Sequence, residues 1–152
     1  GLTNRMKLEE ILEQECRRSS RSRTALTVIM LDVDHFKAIN DNFGHHAGDK
    51  VLRELADILE AHVRSIDTVG RWGGEEFLII CPGTAISGAR ILAEKLRKSL
   101  EAHDFPLVGS CTCSLGISAY QWDDRAEDIV IRADQAMYRA KEKGRNRVEV
   151  LP

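Results

Sequence analysis

Residues 68–83 read TVGRWGGEEFLIICPG. Two runs suited to strands flank a pair of glycines. Glycine takes the positive-φ conformations that a tight type I′ turn demands, so the spacing predicts a β-hairpin turning on Gly73-Gly74. The rest of the chain makes this hairpin decisive. Residues 4–18 carry Met6, Leu8, Ile11, Leu12 and Cys16 at helical spacing, and SSRSR at 19–23 reads as a polar break. TALTVIMLDVD, 24–34, reads as a central strand, apolar on both faces, with polar residues at its far end. Phe36, Ile39 and Phe43 mark a short helix stopped by Gly44, and a second helix start at Gly48-Asp49 runs to about residue 63. After the hairpin come an amphipathic helix over 86–102, a long strand over 107–120, a helix from Ala126 to about Lys143 ended by Gly144, and a short strand over 147–151. Helices and strands alternate, but the hairpin interrupts the series. That order predicts an α+β (α/β) fold with a mixed central sheet flanked by helices, in the ferredoxin-like or polymerase-palm style, and not a doubly wound parallel sheet.

A chain of 152 residues suits one domain, here spanning 1–152, with room for a proper core. Hydrophobic content of 43% and charged content of 30% fit a soluble globular class. The formal net charge of −2 argues against a nucleic-acid polymer as partner, because a duplex binder presents a basic face. A nucleotide needs only a few local cations. No apolar run is long enough to span a bilayer, and no signal peptide opens the chain, so a cytoplasmic domain is expected. The chain opens mid-pattern with GLTNR, and we read it as the C-terminal catalytic part of a longer signalling protein, whose remainder could be membrane-anchored. Cys16, Cys81, Cys111 and Cys113 form no C-x-x-C pair and read as buried reduced thiols.

Four acids stand out. Asp32 and Asp34 lie where the first strand runs out, and alternation puts them on one face with Val33 on the other. Glu75 and Glu76 lie just past the glycine turn. If the first strand pairs with the hairpin, three or four carboxylates converge at one rim. Two such charges about 4 Å apart repel by roughly 4 kcal/mol at an effective dielectric of about 20, which a cation would offset. Hard oxygen ligands in small number suit Mg²⁺. The plain alternative is a set of solvated turn residues. Spacing alone points to metal and phosphate, not to a reaction.

LDVDHFKAINDNFGHHAGDKVL, RWGGEEF, SLGIS and ADQAMYRAKEKGRNRV resemble, in order, successive blocks of the GGDEF family, the diguanylate cyclase catalytic domain, here in its GGEEF form. The blocks cover nearly the whole chain. The resemblance implies a second-messenger enzyme that condenses two GTP to cyclic di-GMP with release of pyrophosphate. It works as a homodimer in which each subunit holds one GTP, usually under an upstream sensory domain. It implies Asp32 and Glu75 as ligands of Mg²⁺, or of Mn²⁺, with the Val33 carbonyl assisting. Glu76 would be a further ligand or a base for the 3′-hydroxyl. Gly73 and Gly74 would let backbone approach phosphate, and Lys37, Lys141 and Arg145 would be the cations near the triphosphate, with His35 and Phe36 supplying backbone. Asn40 and Asp49 match guanine-reading positions; a helix N-cap is the competing role for Asp49.

Arg64 and Asp67 form an R-x-x-D pair, with five residues between Asp67 and the glycine turn. The placement resembles the family's inhibitory site for the product cyclic di-GMP, against a plain helix-end ion pair. Lys95 stands where the family carries a further arginine, and a point charge grips a guanine edge or phosphate less well than a fork. Trp72 stands where the family often has tyrosine and reads as packing. His45 and His46 beside Asp41 and Asp49 suggest zinc only weakly. Two other functions stay open: a receptor for GTP or cyclic di-GMP that has lost turnover, and a mononucleotide cyclase.

Overall fold

The structure is a computed structural model and describes residues 2–152. Its elements are α1 (Arg5–Ser22), β1 (Leu26–Val33), α2 (Phe36–Phe43), α3 (His45–His62), β2 (Thr68–Arg71), β3 (Glu76–Pro82), α4 (Ile86–Ala102), β4 (Cys113–Ala119), α5 (Ala126–Glu142) and β5 (Arg147–Val150). Every expected element is present and in the expected order. The strands form one sheet in the order β2-β3-β1-β4-β5. β1 lies at its centre, antiparallel to β3 and β4, and β5 joins β4 in parallel. The sheet is therefore mixed, as the hairpin required.

Strand alternation sorts the apolar side chains into two cores. Ile29, Leu31, Phe77 and Ile79 face α3 and α4, with Leu55, Leu59 and Leu96. Val28, Met30, Leu78 and Ile80 face α1 and α5, with Leu8, Leu12, Ile129 and Met137. Each fully buried side chain of this kind contributes about 1.5–3 kcal/mol relative to exposure. Burial on both faces explains why β1 reads as a continuous apolar run. At Gly116 in β4, a Cβ would lie 2.1 Å from the Ala133 carbonyl oxygen and 2.2 Å from the Met137 nitrogen. Only glycine there lets α5 rest its backbone on the sheet, and that contact fixes where the end of α5 points.

Four local expectations are corrected. The helix α1 runs through Ser19 to Ser22 and leaves at Arg23, which is left-handed with φ 54°. Polar residues are tolerated there because Arg21 and Ser22 are exposed, and the buried Ser19 hydroxyl donates to the Thr24 carbonyl. The helix α3 begins at His45, because Gly44 at φ 89° serves both as the end of α2 and as the N-cap of α3. β4 starts only at Cys113; Leu107 and Gly109 have positive φ, and Phe105 and Gly109 exchange backbone hydrogen bonds of 2.9 and 2.8 Å in a turn. The hairpin does not turn on a type I′ pair. Neither Gly73 nor Gly74 is among the positive-φ glycines, and four residues separate β2 from β3. The Trp72 and Gly73 N–H groups both donate to the Glu76 carbonyl, at 2.8 and 3.3 Å. The constraint at Gly73 is space, since a Cβ would come 2.9 Å from Glu76 Oε1, whereas at Gly74 it would meet nothing within 4 Å.

All four cysteines are buried and free. Burial pushes the Cys81 thiol up to about 12, and Cys16 and Cys111 to about 11, so they stay protonated at neutral pH.

Candidate active site

Where β1 ends, the chain turns sharply through His35, which is left-handed with φ 55°, into α2. No side chain caps α2, so its first-turn amides are available to an anion. Val33, His35, Phe36 and Lys37 form one wall of a cavity of about 410 Å³ here. Glu75, Lys141 and Arg145 form the other. The 72–75 turn supplies Glu75, and the end of α5 and the segment after it supply the two cations. These seven were singled out for metal or phosphate from sequence; Ala38 and Asp41, which also line the cavity, were not. Gly73 and Gly74 flank Glu75 in the turn but do not line the cavity.

Asp32 lies behind this cavity and is 5% exposed. Its Oδ2 accepts a hydrogen bond from Lys141 Nζ, while its Oδ1 is buried with no partner. Burial pushes its carboxyl above the usual range; Lys141 opposes that, and Glu75 and Asp34 reinforce it. A buried carboxylate oxygen with no donor fits a cation. Val33 and Glu75 line the cavity wall in front of Asp32.

The expected convergence of three or four carboxylates is not formed. Among the described residues no group of three or more His, Cys, Asp or Glu side chains is spaced to hold a metal. Asp34 is consumed structurally: it accepts from Thr112 Oγ1 at 2.7 Å, Ser114 Oγ at 2.6 Å and the Asn146 N–H at 2.9 Å. Glu76 sits opposite Asp32 in the β1–β3 register but lines a second, larger groove of about 970 Å³ between α1 and α5. With it stands Asp134 of α5, which sequence reading missed. Asp134 precedes Lys141 by two helical turns, so the shared face was legible. Burial raises the Glu76 carboxyl, and Asp134 and Asp32 raise it further; burial likewise raises Asp134. The two glutamates therefore divide between two cavities. Asp32, Glu75 and the Val33 backbone could offer a divalent cation a small oxygen set of the kind Mg²⁺ prefers, with room for waters and phosphate oxygens.

Asn40 of α2 and Asp49 of α3 stand on either side of the α2–α3 elbow. A Cβ on Gly48 would lie 2.0 Å from Asn40 Oδ1 and 3.1 Å from the Phe36 ring, so Gly48 lets the two helices close on Asn40. Asn40 Oδ1 is buried without a partner. Asp49 is exposed and stands inside α3, not at its start, which removes the N-cap role. Among the described residues it makes no ion pair. His45 and His46 are exposed and belong to no metal-spaced group.

Arg64 and Asp67 are joined. The Arg64 N–H donates to Asp67 Oδ2 at 2.9 Å and Arg64 Nη2 donates to Asp67 Oδ1 at 3.1 Å and to the Pro82 carbonyl at 2.9 Å. The Asp67 side chain is 2% exposed and that of Arg64 54%, so the acid is fixed while the guanidinium still meets solvent. Lys95 is exposed on α4, and among the described residues no hydrogen bond or ion pair joins it to either of them. Trp72 packs as expected, with the Arg5 guanidinium 4.1 Å from its ring centre.

Comparison with known proteins converges on one family. The profile of the GGDEF family, described as diguanylate cyclase, GGDEF domain, matches residues 1–147. The chain is 48% identical to diguanylate cyclase DgcP of Pseudomonas aeruginosa over 153 aligned residues, covering 99% of this chain and 23% of that protein. It spans 36% of diguanylate cyclase A of Treponema denticola, at 44% identity, so it matches only part of each of these curated relatives. Among solved structures, the active GGEEF domain of a diguanylate cyclase from Vibrio cholerae superposes with a TM-score of 0.95 at 38% identity, covering 100% of this chain and 99% of that one. The GGDEF domain of DgcB from Caulobacter crescentus, in complex with c-di-GMP, also gives 0.95, at 31% identity over 98% of this chain and 91% of that one. With its GGEEF turn, its sheet order and nearly its full length accounted for, this chain belongs to the GGDEF family of diguanylate cyclase domains.

Proposed function

We propose that this domain condenses two GTP into cyclic di-GMP and pyrophosphate, as the catalytic part of a longer signalling protein acting through a homodimer. The observation that carries the reading is the half-bonded buried Asp32 behind a cavity walled by Glu75, Lys37, Lys141 and Arg145. Each chain presents one such half-site, so two chains must meet for the 3′-hydroxyl of one GTP to reach the α-phosphate of the other. Lys37, Lys141 and Arg145 neutralise and orient the triphosphate, and the uncapped start of α2 adds backbone donors. Asp32 and Glu75, with the Val33 carbonyl, would hold Mg²⁺ or Mn²⁺. Such an ion supplies charge neutralisation at the phosphate and a template for in-line attack. Glu76, opposite Asp32 in the β1–β3 register, completes the acidic set as a further metal ligand or as a base for the 3′-hydroxyl. Asn40 and Asp49 read guanine, the orphaned Asn40 acceptor supporting this. Arg64, with Asp67 bracing it, receives the product as a feedback inhibitor, and the exposed Lys95 is a weaker second cation. Among the described residues no helix is long and apolar enough to cross a membrane.

The test is incubation of the protein with Mg²⁺ and GTP followed by chromatography of the nucleotides. Cyclic di-GMP is expected. Bound GTP without product would favour a receptor, and a monomeric cyclic nucleotide would favour a mononucleotide cyclase.

A further inference from the structure

Three consecutive residues beyond α5 have positive φ: Gly144 at 120°, Arg145 at 65° and Asn146 at 46°. L-residues seldom enter this region, and two in succession need support from outside the segment. Some of that support comes from α5 itself, where the Arg145 N–H reaches the Ala140 carbonyl at 2.9 Å. More comes from the end of β1. Asp34, 4% exposed, accepts the Asn146 N–H at 2.9 Å and is itself held by Thr112 and Ser114. The third support comes from α4. Arg97 Nη1 donates to Asn146 Oδ1 at 3.0 Å, and Asn146 Nδ2 donates to Glu101 Oε2 at 2.5 Å. Arg97 is itself fixed by two hydrogen bonds to Glu94, at 3.3 and 3.1 Å. Of all these residues, only Arg145 lines the phosphate cavity. Three separate elements thus converge on a bend whose one outward product is the placement of a guanidinium.

We infer that Arg97, Asn146 and Asp34 are positioning residues for nucleotide binding, a clasp that holds the 144–146 bend so that Arg145 stands ready at the cavity. The inference rests on the reading of that cavity as the triphosphate site. A guanidinium grips phosphate through a planar fork, and its value depends on orientation. With the bend fixed beforehand, binding does not have to order it; with the clasp broken, binding carries that entropy. The clasp touches no substrate, so its members act only through Arg145.

The experiment measures binding of α,β-methylene GTP, which cannot react at its α-phosphate, to the intact protein with Mg²⁺ by calorimetry. Hydrogen exchange at the Asn146 amide is followed in parallel. Arg145→Ala should weaken binding about tenfold. Arg97→Ala and Asn146→Gly should each weaken it about threefold to fivefold, and Arg97→Ala added to Arg145→Ala should cost nothing more, because both act through one group. Asn146→Gly keeps the backbone able to adopt positive φ and removes only the side-chain links, so it serves if Arg97→Ala folds poorly. Exchange of the backbone amide at position 146, corrected for the intrinsic rate of the residue there, should accelerate in both clasp variants. Losses that multiply in the double variant, unchanged binding in Arg97→Ala and Asn146→Gly, or unchanged exchange would each overturn the clasp. Faster exchange with normal binding in Arg145→Ala would instead sink the triphosphate reading, and with it the positioning role.

Discussion

Replacing Lys141 with methionine tests the electrostatics of the site without any assay of turnover. In the folded domain Lys141 Nζ donates to Asp32 Oδ2, the only partner that the Asp32 side chain has among the described residues. The Asp32 side chain is 7% exposed and that of Lys141 24% exposed. Removing the lysine leaves a buried carboxylate with no donor on either oxygen. Breaking a fully buried pair from one side costs about 3–5 kcal/mol; the lysine here is partly solvated, so we take about 2–3 kcal/mol. For a domain of this size that lowers Tm by about 5–10 °C. Asp32→Asn should cost less, about 1 kcal/mol, because the freed lysine reaches water. The double variant should resemble Asp32→Asn alone, giving a coupling of about 2–3 kcal/mol in a denaturant-unfolding cycle. Mg²⁺ should recover part of the Lys141→Met loss and none of the loss in the double variant. Additive single effects, or a Lys141→Met protein as stable as the parent, would refute the reasoning.

Four further outcomes follow from the same geometry. Gly116→Ala drives a Cβ into the α5 backbone at Ala133 and Met137, and should cost about 3 kcal/mol on thermal unfolding; an unchanged Tm would mean α5 does not rest on β4 as described. Asp134 has its folded carboxyl raised by burial, so its contribution to stability is present below the ordinary value of 3.8 and is lost as pH rises through the folded value. Asp134→Asn should therefore raise Tm at pH 7 and have little effect near pH 3, and should move the acid limb of activity to lower pH by removing a charge that raises Glu76; an unmoved limb would separate Asp134 from the reaction. Glu75→Ala should abolish turnover, and retained activity would remove Glu75 from the metal site. Arg64→Ala should extend the linear phase of product formation, while an unchanged progress curve would remove the inhibitory role.

The sheet was legible because its code is short-range. Apolar runs of strand length, broken by glycine and polar stretches, marked β1, β3 and β4, and the hairpin alone excluded a parallel sheet. The 3.6-residue period marked all five helices, and only their ends slipped. Ser19–Ser22 looked like a break because composition does not say that a polar turn of helix can stay exposed on one side. The glycine turn was misread for a similar reason: a Gly-Gly pair permits positive φ, and here the chain uses it for clearance beside Glu76. At the site, the cavity residues were readable as a motif, block by block. That Glu75 and Glu76 part company was readable too, since alternation sends neighbouring side chains to opposite faces; the role of each was not, because it depends on where a four-residue turn ends and a strand begins. Asp34 joined the acidic cluster because alternation placed it beside Asp32; its partners Thr112, Ser114 and Asn146 lie more than seventy residues away in sequence. Asp134 was within reach through its helical spacing to Lys141, but a lone acid in an amphipathic helix carries no signal until the sheet register brings Glu76 to it.

The most direct measurement of the central claim is the initial rate of cyclic di-GMP formation from GTP and Mg²⁺ over a wide range of protein concentration. Half-sites on two chains require the rate per chain to rise with concentration until the dimer forms, and require Asp32→Asn to make no product at any concentration. A rate per chain that stays constant under dilution, or product from the Asp32→Asn protein, would contradict the account.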